Sequence, residues 1–74
     1  MTRDQFVARA VRGVEKAIAV PAGWWGTFTD VRSPRGVRVH VRGVRWLVTG
    51  RALPTEGFDL RSDAMRAARR RERS

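Results

Sequence analysis

The chain is 74 residues long and has no cysteine, so it is expected to fold as one small domain without disulfides or a thiolate metal site. Sixteen Lys and Arg stand against seven Asp and Glu, giving a formal net charge of +9 and a pI near 11.9, a balance that favours polyanionic partners. No apolar run approaches the roughly 20 residues that span a bilayer, and Arg3 and Asp4 interrupt the stretch a signal peptide would need, so a soluble cytoplasmic protein is expected.

The first segment reads as an amphipathic helix over residues 3–19. Val7, Val11, Val14 and Ile18 recur on one helical face, widened by Phe6, Ala10 and Ala17, while Arg9, Arg12, Glu15 and Lys16 fall opposite. Thr2 and Gln5 match a capping box, and Pro21 ends the helix because its ring lacks the backbone donor. Residues 24–31, WWGTFTDV, are aromatic and threonine-rich and predict a strand. After the Pro/Gly loop RSPRG, residues 37–42 and 44–49 alternate valine with arginine or histidine and predict a hairpin turning at Arg42-Gly43. That turn pairs Val41 with Val44, Val39 with Trp46 and Val37 with Val48 on one face, and His40 with Arg45 on the other. Residues 50–57 read as a loop, with Phe58 anchoring it to the core. A second helix is expected over residues 60–71, with a thin apolar stripe of Leu60, Ala64, Met65 and Ala68, and a basic tail at 69–74 that frays.

The predicted fold is therefore α+β in the order α-β-β-β-α, a three-stranded antiparallel sheet with both helices on one face. Trp24, Phe28, Val39, Val41, Val44 and Trp46 would be buried. Trp25, Thr27, Thr29, Arg38, His40, Arg42, Arg45, Leu47 and Arg51 would line the wet face. Arginine forks match phosphate oxygens and guanine edges, and a small sheet fits a major groove. An exposed Trp25 would stack on a partner. Arg61, Arg66, Arg69, Arg70 and Arg73 on the last helix would track a phosphate backbone. All cations but Lys16 are arginine; a GC-rich coding genome accounts for arginine over lysine, but not for the excess over acids. Catalysis has little support: His40 is the sole histidine, the carboxylates are scattered, and no metal-ligand set, phosphate-binding glycine motif or cofactor site is visible.

From residue 36 onward the chain resembles an uncharacterised bacterial family whose motif runs H-V, G-x-W-x-V and a helix opening F-x-T-x-x-x-A. His40, Val41, Trp46, Val48, Phe58 and Ala64 sit at matching places, and Leu60 stands where that family has a capping threonine. The three-strand-and-helix plan also resembles the arm-binding domain of tyrosine recombinases, which lays its sheet in the major groove. With the first helix added, the order is similar to the double-stranded-RNA-binding fold. That likeness implies backbone contacts from Arg61, Arg66, Arg69 and Arg70 and from residues 33–35, although the family's lysine pair is absent. A messenger-RNA-cleaving toxin family shares the plan, but its glycine-serine-histidine context is missing around His40.

These readings converge on a small non-catalytic protein that binds duplex nucleic acid, in an accessory or regulatory role. Its contact set would be Arg38, His40, Arg42, Arg45 and Trp25 on the sheet with Arg61, Arg66, Arg69 and Arg70 on the helix. The rival expectation is a protein-binding module or inhibitor, of the kind that phages and mobile elements encode, capturing an acidic partner protein. The chain would be a monomer or a homodimer through the edge strand 24–31.

Overall fold

The computed structural model describes residues 20–74. The helix expected over residues 3–19 lies outside the described residues. Five short strands form one antiparallel meander: β1 (Trp25–Thr27), β2 (Asp30–Arg32), β3 (Arg38–Arg42), β4 (Arg45–Thr49) and β5 (Glu56–Phe58), hydrogen-bonded in that order. Helix α1 (Arg61–Arg73) follows and packs on one face. The class is α+β as expected, but the sheet has five strands, not three, and one helix among the described residues.

Two local effects account for the extra strands. The segment read as one strand folds back at Phe28 and Thr29, so that Trp25 pairs with Arg32 and Thr27 with Asp30. Gly26 makes this closure possible: at φ +123, a Cβ there would lie 2.1 Å from the Asp30 carbonyl oxygen. Phe28 is thus a turn residue, and its ring stands edge-on to Trp46 at 5.6 Å between centroids. Farther along, residues 56 and 57 leave the predicted loop and, with the core-anchoring Phe58, add a fifth strand beside β4, pairing Trp46 with Phe58 and Leu47 with Gly57.

The β3–β4 hairpin turns one residue later than expected. Gly43 and Val44 form the loop and Arg42 pairs with Arg45, shifting every other pair by two residues: Val41 meets Trp46, and Val39 meets Val48. Gly43, at φ +64, takes the first central position, where a type II′ turn calls for glycine and an arginine would be strained. A shift of two leaves every side chain on its expected face, because the strand period is two. Only Val44 changes role, from the buried face to the hairpin tip, where it is 89% exposed.

The core lies between the sheet and α1. Val31, Val37, Val39 and Val48 are inaccessible and meet Ala64, Met65, Ala67 and Ala68, whose small side chains let the helix approach closely. Trp24, Trp46 and Phe58 pack around the border, half-buried. Val39 is as enclosed as expected, whereas Phe28 and Trp46 keep part of their surface.

The segment expected to fray is helical through Arg73 and is tied down by specific contacts. Arg71 is 5% exposed and donates to the carbonyls of Gly50 (3.2 Å) and Pro54 (2.6 Å) and to Glu56 Oε1 (2.8 Å). Arg51, expected on the wet face, instead caps the helix C-terminus, donating to the carbonyls of Arg71 (2.8 Å) and Ser74, where the helix dipole favours a cation. Glu72 accepts from the Ser33 hydroxyl and the Arg35 backbone N–H (3.0 Å), clamping the β2–β3 loop to the last turn.

Candidate nucleic-acid interface

Register decides what faces away from α1. Period-two alternation puts Trp25 and Thr27 of β1, Asp30 and Arg32 of β2, Arg38, His40 and Arg42 of β3, and Arg45, Leu47 and Thr49 of β4 on one outer face. Pairing arranges them in rows across the strands. One row reads Trp25, Arg32, Arg38, Thr49; the next reads Thr27, Asp30, His40, Leu47; the third is Arg42 with Arg45. Arg32, Arg42 and Arg45 are exposed, and Arg38 and His40 are half-buried.

The middle of this face is internally compensated. Arg38 grips Asp30 with both arms of its fork, Nε to Oδ1 at 3.0 Å and Nη2 to Oδ2 at 2.8 Å. Arg32 approaches the same carboxylate at 3.7 Å. The Arg38 hydrogen bonds are the main reason the Asp30 carboxyl is held below its ordinary range, and Asp30 in turn raises the Arg38 pKa. His40 stands beside this pair with Nδ1 enclosed and without a hydrogen-bond partner among the described residues. Burial first, then the charges of Arg38, Arg42 and Arg32, push its pKa below the usual histidine value, with Asp30 opposing.

The hairpin end is different. Arg42 and Arg45 are directly opposite, a like-charged pair that costs stability, and neither side chain has a hydrogen bond or ion pair within the described residues. Gly57 on β5 relieves part of the repulsion. A Cβ at that position would lie 3.0 Å from Arg45 Nη2, so the missing side chain makes room for the guanidinium to lean towards β5.

The helix arginines do not join this face. Arg61 is 6% exposed: its Nε donates to the Phe28 carbonyl at 3.1 Å and its guanidinium sits 4.3 Å from the centre of the Phe28 ring. Burial lowers its pKa, and it stabilises the aromatic cluster instead of presenting charge to a partner. Arg66 pairs with Asp63. Arg69 and Arg70 are exposed, but Ala64, Ala68 and Arg71 define the face of α1 against the sheet, so Arg66, Arg69, Arg70 and Arg73 point away from it. The loop residues 33–35 are likewise committed: Ser33 is buried and Arg35 also donates to the Glu72 carbonyl at 2.8 Å.

Arg32 is the outer-face cation that sequence reasoning missed. Its place beside Trp25 depends on the fold-back at Phe28 and Thr29, turn residues that are themselves neither glycine, proline nor asparagine. Among the described residues no three His, Asp or Glu side chains cluster to hold a metal, and no helix is long and apolar enough to cross a membrane. Comparison with family models, with curated proteins and with solved structures finds no match.

Proposed function

We propose that this is a small non-catalytic nucleic-acid-binding protein that meets phosphates with the outer face of its sheet. The observation that carries the reading is Arg42 opposite Arg45. Two guanidiniums stand on facing positions of a hairpin end, and neither forms an ion pair among the described residues, a local cost that a polyanion would convert into a gain. Arg32 extends the cationic surface towards β1, and the carboxylate of Asp30 is already neutralised by Arg38. The exposed Val44 at the tip gives an apolar contact for a groove wall or a thymine methyl.

The test is titration of labelled duplex with the full chain at two salt concentrations. Affinity should fall steeply as salt rises, because binding releases counterions condensed on the phosphates. Arg42→Ala and Arg45→Ala should each reduce the slope of log affinity against log salt by about one. Absence of binding at low salt overturns the proposal.

A further inference from the structure

The row Trp25, Arg32, Arg38, Thr49 borders a cleft that the hairpin-end argument does not use. It has a volume of about 440 Å³ and is closed at one side by the Ser33–Pro34 and Gly36–Val37 stretches of the β2–β3 loop. That volume is in the range of small-ligand sites. We propose that this cleft receives one unpaired nucleotide of a single strand, with its base against the Trp25 indole and its phosphate on Arg32. The proposal rests on the nucleic-acid reading above and names the form of nucleic acid that the face prefers.

Four features support it. The Trp25 indole is 54% exposed on an edge strand, offering a flat apolar face that any base can stack on. Arg32 lies directly across from it, with its side chain half-exposed and its one ion pair among the described residues a loose 3.7 Å contact, so most of its donors are available there. Arg38 adds positive charge but its fork is occupied by Asp30, which fixes it as a wall of the cleft. The loop is preorganised: Val37 N–H donates to Ser33 Oγ at 2.8 Å, Ser33 N–H to the Val37 carbonyl at 2.8 Å, and Glu72 holds Ser33 and Arg35.

A base inside a duplex has both faces stacked and cannot use the indole, whereas an unpaired base can. The site favours a strand over an isolated nucleotide because the cationic surface continues from it. Four residues along β3 carry the chain about 13 Å from Arg38 to Arg42, and Arg42 and Arg45 there are placed for the phosphates of neighbouring nucleotides.

The experiment compares a short labelled oligothymidylate with a blunt duplex of equal length, by fluorescence anisotropy over a salt series from low to moderate concentration. The full chain should bind the oligothymidylate more tightly than the duplex. Trp25→Ala should weaken oligothymidylate binding on the order of tenfold and duplex binding by much less, while Trp25→Phe retains most of the affinity. Arg32→Ala should reduce the salt slope on the single strand by about 0.7. Duplex binding with no preference for the single strand, or equal losses on both probes in Trp25→Ala, overturns the cleft assignment alone. No binding of either probe at low salt overturns the nucleic-acid reading and this inference with it.

Discussion

Asp30 sets the charge of the outer face more than any single arginine does. It holds the Arg38 fork and draws in Arg32, so two of the four outer-face guanidiniums answer to one carboxylate. Asp30→Asn should release Arg38, tighten nucleic-acid binding several-fold at low salt and steepen the salt slope by about one, read in the same duplex titration; a weakened complex would mean that Arg38 works through its fixed posture and not its charge. His40 makes the second prediction at this scale. Its folded pKa lies below the ordinary 6.5, because burial disfavours the charged ring and protonation would add a further charge beside Arg38, Arg42 and Arg32. Below about pH 6.5 the unfolded chain therefore takes up a proton that the folded chain refuses, and stability falls with pH until His40's lowered folded value is reached, then levels off. Asp30 acts lower: its stabilisation is present above the ordinary 3.8 and is lost as pH falls through its depressed folded value. Urea midpoints from about pH 7.5 to about pH 5 should fall for the native chain and stay flat for His40→Asn over the histidine window.

Helix α1 is secured at its C-terminal end and left bare at its start. Leu60 occupies the N-cap position in an extended conformation, 59% exposed, and makes no side-chain capping bond. Leu60→Thr should supply the missing acceptor and stabilise the chain by about 1 kcal/mol in chemical denaturation, with Asp63 in place to complete a capping box. Arg71→Ala should do the opposite, costing about 3 kcal/mol, since it strands the Gly50 and Pro54 carbonyls and Glu56 around a vacated buried position. The contrast also shows what an element reveals in its sequence. Face assignment on β3 and β4 was legible because valine alternation has a strict period and survives a two-residue shift of register. The helix was legible from its alanine stripe. The fold-back at Phe28 was not, because TFTD has strand composition and the decisive contacts, Phe28 on Trp46 and Arg61 on Phe28, join residues far apart in the chain. Nor do Arg51, Arg61 and Arg71 differ in sequence from the exposed arginines: helical spacing alone groups Arg71 with the core, and nothing local tells that it reaches three loop acceptors.

At the scale of the molecule eight of the twelve described arginines separate into two surfaces with the core between them. Arg32, Arg38, Arg42 and Arg45 lie on the outer sheet face, while Arg66, Arg69, Arg70 and Arg73 lie on the far side of α1. A straight duplex laid on the sheet cannot touch both at once, so the single contact set expected from sequence divides into two. The surfaces are also unequal in character: the sheet carries adjoining rows, an indole and a cleft, whereas the helix offers solvated side chains along one line. Removing residues 69–74 would not separate them, because it deletes Arg71 and the Glu72 clamp together with the exposed charges. The clean comparison replaces Arg69, Arg70 and Arg73 with serine in one variant and Arg42 and Arg45 with alanine in another. If the sheet face holds the duplex, the helix variant keeps the native salt slope and the sheet variant loses about two from it. The reverse pattern would move the binding surface to α1. Equal losses would require a nucleic acid bent around the domain, and circular-permutation gel shifts would reveal that bend directly.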